Sequence, residues 1–157
     1  MKSISQIIII DDNKMDCFIN QKISSLLFEK ATIKTFSSSV MALDYFKNSL
    51  DKHEMISTSN IDLLLIDINM PEMNGFELLK KLEKTPLFIK KAIQVYFLSS
   101  SNIKKDINDA LNIKSCSGYI VKPLTKDKLI NAINTNIQNK YCSLNNNSAK
   151  TNQPDLK

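Results

Sequence analysis

The chain reads as an α/β protein built on a doubly wound, five-stranded parallel sheet. Three observations predict it. Five short runs of β-branched or leucine-rich residues recur along the chain, each followed by polar residues and then by apolar residues at helical spacing. The strongest of these runs are continuously apolar rather than alternating, as in strands buried on both faces. The 157 residues suit one domain of ordinary size.

The elements follow in order. Ile7 to Ile10 is the first strand, stopped by Asp11-Asp12-Asn13. Met15, Phe18, Ile19, Ile23, Leu26 and Leu27 then recur as the apolar stripe of a helix, with Asp12 or Asn13 as its N-cap. Ala31 to Phe36 is the second strand. Ser37 to Ser39 offer capping hydroxyls to a second helix carrying Val40, Leu43, Phe46 and Leu50. Asp51 to Asn60 reads as a long polar connection. Ile61 to Ile66 is the third strand, ending at Asp67. A turn through Asn69-Met70-Pro71-Glu72-Met73-Asn74-Gly75 leads to a helix with Phe76, Leu78, Leu79 and Leu82, closed by Lys84-Thr85-Pro86. Ile93 to Leu98 is the fourth strand, followed by Ser99 to Ser101 and a helix with Ile103, Ile107, Ala110, Leu111 and Ile113. Gly118 to Val121 is the fifth strand, ending at Lys122-Pro123. A last helix starts near Thr125 and carries Leu129, Ile130, Ile133 and Ile137. Beyond Asn139 the chain is rich in Asn, Ser and Lys, so the domain is expected over 1–139 and a mobile polar tail over 140–157.

Composition removes several function classes. All 21 basic residues are lysine, and they are scattered, so the net charge of +5 reads as a solvated surface rather than a nucleic-acid face. One histidine excludes mechanisms that need two. Cys17, Cys116 and Cys142 are odd in number and lack CxxC spacing, which fits a reduced, cytoplasmic compartment better than a disulfide framework. No segment has the ~18 apolar residues of a membrane span. With two glycines in the whole chain, each is expected where the backbone demands one.

In open α/β sheets ligands bind beyond the carboxyl ends of the strands. Those ends deliver Asp11 and Asp12, Asp67, Ser99 and Lys122 to a single rim. Taken alone, each has an ordinary role as a helix cap or a solvated side chain; together they form a set. Like charges ~4 Å apart repel by ~4 kcal/mol at an effective dielectric of ~20, so three carboxylates need a cation. Oxygen donors without His or Cys favour Mg²⁺ over zinc. A carboxylate beside Mg²⁺ can attack phosphorus, with Lys122 and the metal neutralising the phosphoryl oxygens and Ser99 bonding a third. The product is an aspartyl phosphate.

This arrangement resembles the receiver domain of two-component response regulators, of the stand-alone type found in bacterial chemotaxis. The resemblance lies in Asp11-Asp12, in Asp67 with Ile68-Asn69-Met70-Pro71-Glu72-Met73-Asn74-Gly75, in Leu98-Ser99-Ser100, and in Tyr119-Ile120-Val121-Lys122-Pro123. It implies a flavodoxin-like sheet of order 2-1-3-4-5 and a phosphoacceptor at Asp67. It also implies Mg²⁺ held by Asp12, Asp67 and the carbonyl of Asn69 with Asp11 assisting, and phosphoryl contacts from Ser99 and Lys122. Tyr119 would be an aromatic switch coupled to Ser99, and the Lys122-Pro123 peptide would be cis. The implied partners are a sensor histidine kinase or histidine phosphotransfer protein, and a downstream protein met through the fourth helix, fifth strand and fifth helix. Neither a DNA-binding domain nor a membrane is expected, and the chain would act as a monomer or a phosphorylation-dependent dimer. Its chemistry would be limited to self-phosphorylation and slow autodephosphorylation.

One departure is length: 55 positions separate Asp12 from Asp67, and the excess falls around 51–60, where His53 reads as a loop residue. Asn69 and Ser101 stand where family members tune the lifetime of the phosphoryl group. Competing readings are weaker. A dehalogenase-type phosphohydrolase needs an acid two places after its nucleophile, where this chain has Asn69 or Asn13. A nucleic-acid binder lacks arginine, and a binding scaffold that is never phosphorylated has no use for the complete set of acids, hydroxyl and amine.

Overall fold

In the computed structural model, which describes residues 3–49 and 61–136, the apolar runs become β1 (Ile4–Ile10), β2 (Thr32–Phe36), β3 (Ile61–Asp67), β4 (Ile93–Ser99) and β5 (Cys116–Val121). They form one parallel sheet in the order β2-β1-β3-β4-β5. The helices among the described residues are α1 (Lys14–Leu27), α2 (Ser39–Asn48), α3 (Gly75–Leu82), α4 (Pro86–Lys90), α5 (Lys104–Leu111) and α6, over 126–136. The expected long connection around 51–60, His53 and the tail over 140–157 lie outside the described residues.

The continuous apolar runs bury both faces of the sheet, because alternate side chains point to opposite sides. Ile8, Ile10, Leu64, Ile66, Val95 and Phe97 pack under α2, α3 and α5. Ile7, Ile9, Leu63, Leu65, Tyr96 and Leu98 pack under α1 and α6. Caps set where the helices begin. Asn13, not Asp12, caps α1, accepting from the N–H groups of Met15 and Asp16; Ser38 caps α2. Asn74 and Glu77 form a reciprocal capping box on α3.

The structure departs from the periodicity in three places. In α1 the residues turned to the sheet are Cys17, Asn20 and Ser24, with Ile23 and Leu27 packed beside them, while Met15, Phe18, Ile19 and Leu26 are exposed. The helix carries two overlapping apolar stripes, and its start at Asn13 selects the one that holds polar residues. In α5 only Ala110 is buried, and Ile103 and Leu111 are exposed. Pro86 does not merely end α3. It opens the extra helix α4, where a missing N–H costs nothing at the first position.

Neither glycine has a positive φ, so the backbone demand expected from their scarcity is one of space. A Cβ on Gly118, inside β5, would lie 2.9 and 3.0 Å from ring carbons of Tyr96, which is fully buried. Gly118→Ala is therefore expected to destabilise the fold by about 1–3 kcal/mol through overpacking. Urea unfolding should show a lower midpoint with an unchanged slope; an unchanged midpoint would contradict the packing described.

Candidate functional site

Parallel register brings the polar strand ends together. Ile10 pairs with Ile66 and Asp67 with Leu98, while Lys122 N–H donates to the Ser99 carbonyl at 2.8 Å. The residues next in line, Asp11, Asp67, Ser99 and Lys122, therefore share one rim without any long-range search by loops. Asp11, Asp67 and Ser99 are buried, Lys122 is half-buried and Asp12 is exposed.

Lys122 Nζ sits in the middle of the acids. It lies 2.7 Å from Asp11 Oδ2, 2.8 Å from Asp67 Oδ1 and 3.0 Å from Asp16 Oδ2. The contact to Asp16 has hydrogen-bond geometry, whereas Asp11 Oδ2, fully enclosed, has no aligned hydrogen-bond partner despite the ion contact. The other Asp11 oxygen accepts from Asn13 N–H at 2.9 Å. Burial pushes the Asp11 and Asp67 carboxyls up from the ordinary carboxylate value, and the close Lys122 ammonium offsets only part of this. Burial alone would lower the Lys122 ammonium, but the close carboxylates of Asp11, Asp67 and Asp16 outweigh it and hold the pKa above the usual lysine value.

Asp11, Asp12 and Asp67 each offer an oxygen within 4.8 Å of the others. That spacing, the all-oxygen donor set and the unaligned Asp11 Oδ2 fit a hard divalent cation. Asn69, exposed two residues past Asp67, lines with Ile68, Asn74, Phe76, Ser99 and Asp106 a cleft beside the acids. Gly75 is what allows that loop to turn so close. Its N–H donates to the Ile68 carbonyl, and a Cβ there would come within 2.5 Å of the Asp67 carbonyl oxygen. On the other flank Ser99 Oγ accepts from Ser101 N–H at 3.1 Å, and Tyr119 hydroxyl donates to the Ser101 carbonyl at 2.8 Å. The Lys122-Pro123 peptide is cis.

The sequence residues Asp11, Asp12, Asp67, Ser99 and Lys122 thus converge, with Asn69 at the mouth of the cleft and Tyr119 two residues away through Ser101. Asp16 was missed. Its signal lay in its spacing: an acid one helical turn past Asp12, on the first turn of α1, returns to the rim.

The sequence profile of the response regulator receiver domain matches residues 7–134. The chain belongs to the response regulator receiver family.

Receivers are phosphoacceptor signalling domains, and the chain's sheet order is theirs. The receiver is 38% identical over 109 residues to a protein of Pyropia yezoensis named "Probable transcriptional regulator ycf29", covering 68% of this chain and 47% of that protein. It therefore spans about half the length of that relative. It is 31% identical over 121 residues to the two-component response regulator ARR17 of Arabidopsis thaliana, covering 75% of each. Among solved structures, a two-component response regulator from Cytophaga hutchinsonii shares 28% identity at a TM-score of 0.71, covering 87% of this chain and 99% of that one. These sources range well beyond bacteria, so the bacterial setting implied by the resemblance does not follow from family membership. No helix among the described residues is long and apolar enough to cross a membrane.

Raised carboxyl pKa values have a defined sign. The native state of the receiver binds protons on Asp67 more readily than the unfolded chain, so stability rises as pH falls from neutral through the raised value. Asp67→Asn removes this burden. In EDTA the variant is expected to melt at a higher temperature than the parent at pH 7, with the difference closing as pH falls toward the ordinary carboxylate range. A lower melting temperature at pH 7 would contradict the charge balance described.

Proposed function

We propose that the receiver accepts a phosphoryl group on Asp67 from the phosphohistidine of a sensor histidine kinase or phosphotransfer protein, and signals through protein contact. The observation that carries this is the Lys122 ammonium lodged between the buried carboxylates of Asp11 and Asp67, at 2.7 and 2.8 Å, with Asp12 and Ser99 on the same rim. An Asp67 oxygen attacks phosphorus, the P–N bond to histidine breaks, and the ring nitrogen keeps the electron pair.

In this reading Asp12, Asp67 and the Asn69 carbonyl hold Mg²⁺, with Asp11 assisting. When bound, the ion neutralises phosphoryl oxygens as charge builds on them. Lys122 moves from the Asp67 carboxylate to a phosphoryl oxygen, and Ser99 Oγ donates to another. Since Ser101 N–H is bonded to that same Oγ, and the Ser101 carbonyl to Tyr119 hydroxyl, a shift of Ser99 reaches Tyr119 through one residue. The face carrying the output is that of α5, β5 and α6, where Tyr119 lies. The receiver acts in the cytoplasm, and its phosphorylation needs no enzyme beyond the donor.

Incubation with Mg²⁺ and acetyl phosphate, followed by intact-mass measurement, tests the reading. One phosphoryl adduct is expected on the parent and none on Asp67→Asn or in EDTA. A parent without an adduct would favour the binding scaffold, and rapid phosphate release from simple monoesters would favour a hydrolase.

A further inference from the structure

Lys122 has three N–H donors, and the hydrogen bond with good alignment goes to a residue outside the set just described. Asp16 Oδ2 lies 3.0 Å from Nζ with hydrogen-bond geometry. Its position in the helix would ordinarily explain an acid. Asp16 is in the first turn of α1, where a negative charge meets the positive end of the helix dipole. The capping pattern shows that it does something else. In α3 the equivalent acid, Glu77, turns back to accept from its own N-cap, Asn74 N–H. In α1 the corresponding N–H, on Asn13, is already bonded to Asp11 Oδ1. Asp16 is left free of capping duty, and its carboxylate reaches the lysine instead.

The burial of the three acids orders them. The side chains of Asp11 and Asp67 are 0% and 6% exposed, and that of Asp16 is 34% exposed. Asp16 therefore draws on Nζ from the solvent side, against the two inner carboxylates. A divalent cation and a phosphoryl group both need the inner oxygens that the ammonium now covers.

Building on the phosphoacceptor reading above, we propose that Asp16 is a positioning residue that gives Lys122 Nζ an outer partner, to which the ammonium stays bonded when a cation takes the inner oxygens of Asp11 and Asp67. Without Asp16 the ammonium has only the inner pair, and a cation must displace it with no outer carboxylate to receive it. The effect runs through Lys122 rather than through the charge of Asp16 at a distance.

Calorimetric titration of Mg²⁺ into the full chain and its variants tests this through a double-mutant cycle. Asp16→Asn should weaken Mg²⁺ binding about three- to tenfold, Asp16→Glu should restore part of it, and both variants should keep the parent's cooperative unfolding. In a Lys122→Gln background, Asp16→Asn should change the affinity less than about twofold. Equal weakening in both backgrounds would reduce Asp16 to one more negative charge and overturn the proposal, as would an unchanged affinity in Asp16→Asn or a parent that binds no Mg²⁺. The acetyl phosphate adduct on the parent is read separately. A parent that binds Mg²⁺ but takes no phosphoryl group refutes the phosphoacceptor reading, while the cycle still decides the role of Asp16.

Discussion

Three carboxylates within 4.8 Å of one another cannot be held on one rim without positive charge. Lys122 supplies it, and the rest of the site is arranged around that single ammonium. Asp11 comes from the end of β1, Asp67 from the end of β3, and Lys122 from just past β5, so the balance depends on three strands keeping register. Burial works against the balance. It pushes both inner carboxyls up, and Lys122 offsets only part of this. A cluster short of cation is a poor way to stabilise a fold and a good way to recruit a divalent ion, which is the usual pattern where a site runs against the stability of its scaffold.

The scaffold tolerates this because its two cores are apolar and complete. Ile7 to Ile10, Leu63 to Ile66 and Val95 to Leu98 are essentially inaccessible, with side chains locked alternately under the two helical layers. Close approach is bought at the two glycines. Gly75 lets α3 begin against the Asp67 carbonyl, and Gly118 makes room for the Tyr96 ring beneath β5. The Phe76 ring then meets Phe97 edge-on at 4.9 Å, tying the loop side of the site to the sheet.

Much of this was legible in the sequence because the site residues sit at strand ends, and strand ends are marked by a change from continuous apolar to polar residues. Asp11, Asp67, Ser99 and Lys122 could be placed on one rim from that change alone. Features that depend on helix phase were harder to read. The apolar spacing of α1 favoured a face that the structure leaves exposed, because Asn20 and Ser24 are buried where periodicity expects apolar residues. Asp16 was hidden by the same ambiguity, since only the phase set by the Asn13 cap brings it to Lys122. In α5 the apolar positions mark a half-solvated face, and Pro86 signals both the end of one helix and the start of the next.

The proposed phosphoacceptor is a cation-dependent set of acids and Lys122 centred on Asp67. Beryllofluoride mimics a phosphoryl group on a carboxylate and reports its binding through fluorine NMR. Bound fluoride resonances in slow exchange are expected when Mg²⁺ and beryllofluoride are both present, lost in EDTA and lost in Asp67→Asn. Resonances that persist without Mg²⁺ or without the Asp67 carboxylate, or no bound resonance in the parent, would contradict it.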